Sequence, residues 1–203
     1  MSVLTSLSNA KTLGGIGAIL VLLFVVPSAG AILGIAGFVM ILVAVKYISD
    51  YFYERRILND MMIAVILSVV GIAVGSLVIV PTAIGAFQNG YFGGSYFTPS
   101  PDVTTAQWIT FGTAIGLGLL GAWAFFLASS VFIRRSYNTI GAKINVSTFG
   151  TAGLLYLIGA ATSIVGIGFL ILLIAQIVTA VAFFSIPETP QMKPVAPPSA
   201  PVV

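Results

Sequence analysis

Long charge-free apolar runs alternate with short polar segments along this chain, and the lengths of the runs carry most of the information. Leu13 to Val45, Met61 to Phe87, Trp108 to Ile133 and Thr148 to Ile186 contain no Asp, Glu, Lys or Arg. A bilayer core of roughly 30 Å takes about 20 helical residues at 1.5 Å each. The two middle runs each suit one crossing. The first and last are too long for one crossing and about right for two short ones. In the first, Pro27-Ser28-Ala29-Gly30 supplies turn chemistry near the middle. In the last, Thr162-Ser163 with Gly166 and Gly168 makes a weaker break.

The pattern therefore predicts an all-α polytopic membrane protein with six transmembrane helices: an N-terminal hairpin, two single spans and a C-terminal hairpin resembling the first. Four over-long helices are the alternative. A single transmembrane domain over 1–187 would be followed by a flexible cytoplasmic tail over 188–203. That tail carries Pro190, Pro194, Pro197, Pro198 and Pro201, which favour extended polyproline geometry over helix.

Basic residues test the count. Six crossings bring Lys11, Lys46, Arg55, Arg56, Arg134, Arg135, Lys143 and Lys193, all 8 of the chain's Lys and Arg, to one side. Four crossings would send Lys11 and Lys193 to the opposite side. The positive-inside rule favours the first arrangement, a multi-pass protein of the plasma membrane with both termini cytoplasmic. Lys11, the following apolar run and Ala29-Gly30-Ala31 imitate a signal peptide, but another apolar stretch follows at once, so the first hairpin is expected to be retained. The Asn145-Val146-Ser147 sequon falls on the cytoplasmic side and is read as chance.

Composition narrows the chemistry. Charged residues are 6% and hydrophobic ones 59%, against about 25% charged in soluble domains. With no His and no Cys, thiolate or imidazole metal sites, Cys-held iron–sulfur clusters, His-anchored haem and disulfides are all excluded. No Asp, Glu, Lys, Arg or His falls in the middle of a predicted span, which argues against proton relays and ion-coupled carriers. Cofactors and nucleic-acid partners are not expected.

Small residues four apart let helices approach closely in lipid. Gly30/Gly34, Gly71/Gly75 and Gly112/Gly116 are such pairs and form a candidate packing seam, extended by Gly17, Gly37, Gly118, Gly121, Gly153 and Gly159. Thr162, Ser163, Gln176 and Thr179 are candidate polar lining of the last hairpin, each bonding a neighbouring helix or its own backbone for about 1 kcal/mol or less. Arg55, Arg56, Arg134 and Arg135 sit at the cytoplasmic edge, placed to reach lipid phosphates. Lys46, Asp50 and Glu54, spaced four apart, predict that the second helix continues past the membrane as a charge-laced stub, with Arg56 meeting Asp60.

Tyr47, Tyr51, Phe52 and Tyr53 form an inner aromatic girdle; Tyr91, Phe92, Tyr96, Phe97 and Trp108 form an outer one. The almost uncharged loop between Gln88 and Gln107 is expected to fold back as a cap or to meet another protein. Sliding the chain by 136 residues places Thr12, Gly14, Gly17 and Gly30 on Thr148, Gly150, Gly153 and Gly166, which suggests a parallel internal repeat of the two hairpins.

Ala10-Lys11-Thr12-Leu13-Gly14-Gly15-Ile16-Gly17, Leu33-Gly34-Ile35-Ala36-Gly37 and Ala44-Val45-Lys46-Tyr47-Ile48-Ser49-Asp50 resemble a mostly archaeal membrane family known only as domain of unknown function 996. Ile57-Leu58-Asn59-Asp60 and Ala182-Phe183-Phe184-Ser185-Ile186-Pro187 fit the same pattern. The resemblance implies an archaeal source and no assigned chemistry. The expected role is a non-enzymatic structural or accessory component among membrane lipids, packing with itself as a homo-oligomer or with a larger membrane complex. A passive channel or carrier for a small solute is the alternative. A third reading is a lipid-modifying enzyme using Asp50, Glu54 and Asp60.

Overall fold

A computed structural model describes residues 3–93, 98–100 and 102–187. Tyr96, Phe97, Pro101, Lys193 and the tail prolines lie outside these described residues. Six α-helices are present among them: α1 (Val3–Leu22), α2 (Gly30–Tyr51), α3 (Arg55–Gln88), α4 (Thr105–Ile144), α5 (Thr148–Thr162) and α6 (Gly168–Phe184). By length and composition, five of the helices, α1 to α5, could each cross a membrane; α6 is apolar but shorter. Between α3 and α4, β1 (Phe92–Gly93) pairs antiparallel with β2 (Thr98–Pro99), a small ladder that an all-α reading did not include.

Both long apolar runs break where turn chemistry falls. After α1 a 3-10 turn over Leu23–Val25 tightens the chain, Ser28 takes φ 71° and α2 starts at Gly30. After α5 a second 3-10 turn over Ser163–Val165 leads to Gly166 at φ 85°. The gapless 136-residue slide does not match these hairpins structurally. It pairs Gly30, the buried first residue of α2, with Gly166, a left-handed turn residue outside α6. The two hairpins share an architecture with different arm lengths.

The charge-laced extension of the second helix is corrected. α2 ends at Tyr51, Tyr53 turns left-handed (φ 51°), and Glu54 is already the N-cap of α3. Ser49 closes the reversal: its hydroxyl donates to the Glu54 carbonyl at 3.0 Å, and the Glu54 N–H donates to the Ser49 carbonyl at 3.0 Å. Glu54 consequently faces α4, where Lys143 Nζ lies 3.3 Å from its carboxylate.

The hairpins α1–α2, α3–α4 and α5–α6 are the most extensive pairings, and α4–α5, α1–α6 and a lighter α2–α3 contact close them into a ring. The ring is filled at the basic end. Ile48, Ile57, Tyr137, Ile140, Phe149 and Phe183 are fully buried there, with Phe149 edge-on to Phe183 at 5.1 Å and to Tyr137 at 5.7 Å.

Hydroxyls lock the register of α3 against α4. Ser136 donates to the Ile57 carbonyl at 2.9 Å; Ser129 donates to the Ala64 carbonyl at 2.8 Å and accepts from Ser68 at 2.8 Å. Away from the basic end this pair outruns its neighbours. Of residues 76–88 only Ala86 is buried, and of residues 105–117 none is. A bare two-helix hairpin thus continues for about 20 Å, thirteen or so residues at 1.5 Å each. It ends in an aromatic knot, with Phe92 packed on Phe87, Trp108 and Phe111, and Tyr91 on Trp108. Thr104 starts α4 through a reciprocal capping box with Gln107.

Candidate functional site

Gln176 is the most polar side chain inside the last apolar run, and its surroundings define the best-built cleft of the molecule. On α6 it is flanked by Ala175 and Ala180, so α1 and α5 approach closely enough to meet it. It is 5% exposed. The Tyr156 hydroxyl on α5 donates to Gln176 Oε1, and Gln176 Nε2 donates to the Ala18 carbonyl on α1 at 3.2 Å. That carbonyl is reachable because the α1 face beside it is small: Gly14 packs under the Phe183 ring and Gly17 crosses Gly37 backbone to backbone. One turn nearer the basic end, Thr179 is fully buried and bonds the Ala175 carbonyl at 2.8 Å.

Beyond Gln176 the two short hairpins diverge. The space between them, about 730 Å³, is walled by Val21 and Phe24 near the end of α1, Phe126 of α4, and Phe169 and Leu172 of α6, with Tyr156 and Gln176 as its floor. Among the described residues, no charged side chain lines it. Such a cleft can take hydrocarbon or a small neutral acceptor. It is blind, because the cluster around Tyr137, Phe149 and Phe183 fills the bundle on the far side of the Gln176–Ala18 bond. A second, shallower hollow of about 390 Å³ lies at the basic end between Asn138, Asn145 and Ser147.

The other residues singled out from sequence fall in separate places. Thr162 and Ser163 sit at a hairpin tip and donate to the Ile158 and Ala160 carbonyls of their own helix, both at 2.8 Å. The six glycines do not form one seam. Gly30 and Gly34 pack on Phe24 inside the first hairpin, and Gly71 and Gly75 receive Phe125 and Ala122 of α4, whereas Gly112 and Gly116 face open space. Arg55, Arg56 and Arg135 are exposed; Arg134 is half-buried, with its backbone against Gly153, and the Arg135 guanidinium lies 5.4 Å over the Phe132 ring.

Tyr156, Trp123 and the serines were not anticipated. Trp123 Nε1 donates to the Ala160 carbonyl at 2.9 Å, tying α4 to the end of α5. The available signal was spacing: Ser129 and Ser136, seven apart, share one helix face, and both reach carbonyls of α3.

Comparison with known proteins adds a family and no chemistry. Residues 33–177 match the family described as "Protein of unknown function (DUF996)". An uncharacterized protein of Methanocaldococcus jannaschii is 34% identical over 186 residues, covering 90% of this chain and 94% of that relative. No solved structure matches.

Proposed function

The chain belongs to the DUF996 family of unknown function, and from that premise we propose that it is a non-enzymatic, archaeal membrane protein acting as a structural or accessory component. It packs in the bilayer with a second copy of itself or with a larger membrane complex, its basic end and both termini facing the cytoplasm across the plasma membrane. The observation that supports this most directly is the uncovered far half of α3 and α4. Leu77, Val80, Ile84, Ile109 and Leu117 are all more than half exposed there, and Gly112 and Gly116 leave a notch on α4 that no side chain among the described residues fills. Of the other helical glycines described, only Gly85, on the same far half, also has nothing near its Cβ position; the α4 notch fits the ridge of a further helix.

The blind end of the Gln176 cleft favours this role over a passive pore, since a permeation path would have to break the Gln176–Ala18 bond and part the Phe149–Phe183 packing. The reading of Asp50, Glu54 and Asp60 as a catalytic set loses support because Glu54 is engaged by Lys143. Purification from native membranes in mild detergent, with identification of whatever copurifies, tests the proposal. A stoichiometric companion or a dimer, lost in Gly112→Leu/Gly116→Leu, is the expected result. A monomer with no companion would overturn it.

A further inference from the structure

We propose that the α1–α2 and α5–α6 hairpins do not cross the membrane but enter it from the basic side and turn back near its midplane, so that only α3 and α4 span. The juxtaposition behind this is one of height. Phe24 and Phe169, at the two hairpin tips, share a cleft with Phe126 of α4, so both tips lie roughly level with the stretch of α4 between Phe126 and Gly118.

α4 itself serves as the depth gauge. Trp108, in the aromatic knot with Tyr91, marks one interface, where Trp and Tyr prefer to sit. Arg134 on α4, with Asp60 at the matching level of α3, marks the other. The interval from Trp108 to Arg134 is about 39 Å at 1.5 Å per residue, which fits a bilayer of roughly 40–45 Å including headgroups. The tips then stand about 12–24 Å above the Arg134 level and about 15–27 Å short of the opposite interface.

The alternative is to centre the bilayer on the short hairpins. That would draw Asp60, Arg134 and Arg135 into hydrocarbon, where charges are strongly disfavoured. It would also lift the aromatic knot and the exposed Leu77, Val80, Ile84 and Ile109 about 20 Å into water. Both penalties vanish when the tips are placed at the midplane.

The chemistry of the turns agrees. Three connections point away from the basic end. The α3–α4 connection carries Gln88, Asn89, Ser100 and Asp102, as a turn in water should. The two hairpin tips carry no charge and, apart from Ser28 and Ser163, no side-chain hydroxyl or amide between Leu23 and Ile32 or Ser163 and Leu170. They expose Phe24, Val25, Val165 and Ile167 at 62–68%. Backbone groups in hydrocarbon must be satisfied internally, and these turns largely do so. Val26 N–H donates to the Leu23 carbonyl, Gly30 to Val26 and Ala29 to Pro27; Gly166 donates to Ser163, Phe169 to Gly166 and Leu170 to Ile167. Pro27 has no N–H to satisfy. The 3-10 tightening of both tips is what closes these bonds without water.

The partner of the tips is therefore the acyl region of the basic-side leaflet. The protein fills that leaflet with six helices and the opposite one with two, and the cleft above Gln176 lies within hydrocarbon.

Because the chain contains no Cys, single-cysteine variants report depth cleanly. In oriented membranes, a membrane-impermeant maleimide should label Asn89→Cys from one face and Asn138→Cys from the other. Ser28→Cys and Ile164→Cys should be labelled from neither face and react only after denaturation. A nitroxide placed on the same cysteines should show the oxygen accessibility of the bilayer centre. Labelling of Ser28→Cys and Ile164→Cys from the Asn89 face at the rate of that control would overturn the inference and restore six crossings. The nitroxide depth decides the matter independently should either tip variant label poorly for steric reasons.

Discussion

Replacing Gly37 by Leu should damage this bundle more than removing its most polar interhelical contact. A Cβ at Gly37 would meet the Leu20 Cβ and the Val21 nitrogen at 2.7 Å, as well as the Gly17 carbonyl. Two of these neighbours are backbone atoms that cannot rotate away, so α1 and α2 would have to separate along their whole contact. Overpacking of this kind costs about 1–3 kcal/mol, and loss of the adjoining close packing places Gly37→Leu at or above the top of that range. Gln176→Leu, in contrast, removes the bonds to Ala18 and Tyr156 while keeping an apolar filler of similar length. Interhelical hydrogen bonds in membranes average about 0.6 kcal/mol and reach about 1.7, so about 1 kcal/mol is expected. Equilibrium unfolding in mixed micelles, followed by the fluorescence of Trp123 and Trp108, measures both. A double-mutant cycle with Tyr156→Phe should return a coupling of about 0.6 kcal/mol, and no more than about 1.7. If Gln176→Leu proved the more destabilising, polar bonding rather than close backbone approach would hold the helices together, and the packing argument would fail.

Three further outcomes are expected. Phe149→Ala should cost about 3–5 kcal/mol in the same assay, because its ring is fully buried between Tyr137 and Phe183; a loss below 1 kcal/mol would mean the basic end is not the core. Glu54→Ala should change stability by about 0.5 kcal/mol or less, since the Lys143 pair is partly solvated, and a large effect that persists at high salt would contradict this. Gly116→Leu should not lower the unfolding midpoint of the isolated protein, as nothing lies within 4 Å of a Cβ there and Leu favours helix over Gly; a marked destabilisation would place that face inside the monomer.

Helix number and the two breaks were legible because each depends on local chemistry: a Pro27-Ser28 stop, a glycine free to take positive φ at 166, and runs too long for one crossing. Helix ends were less so. An apolar run marks where lipid is, not where the helix stops, so α3 and α4 extend well past Met61 and Ile133 into charged sequence. The α2 stub failed for a related reason: the four-residue spacing of Lys46, Asp50 and Glu54 is compatible with a helix but does not enforce one, and the Ser49–Glu54 bonds favour a reversal. Gln176 stood out as an amide in an apolar run, while Tyr156 passed for ordinary filling because its partner lies on another helix. Relative height was invisible. It is set by interhelical bonds such as Ser136–Ile57 and Trp123–Ala160, which no single helix encodes, and it is height that separates crossing hairpins from half-depth ones.

Every described cation lies at one end of the bundle, opposite the α3–α4 connection, and both the hairpin ring and its placement in the membrane depend on this. Site-directed labelling of Asn9→Cys, Asn138→Cys and Asn89→Cys in oriented membranes addresses this directly. Asn9 and Asn138 should react from one and the same face, and Asn89 only from the other. Reaction of Asn9→Cys from the face that labels Asn89→Cys would place α1 across the bilayer from the end of α4 and contradict the ring of hairpins outright.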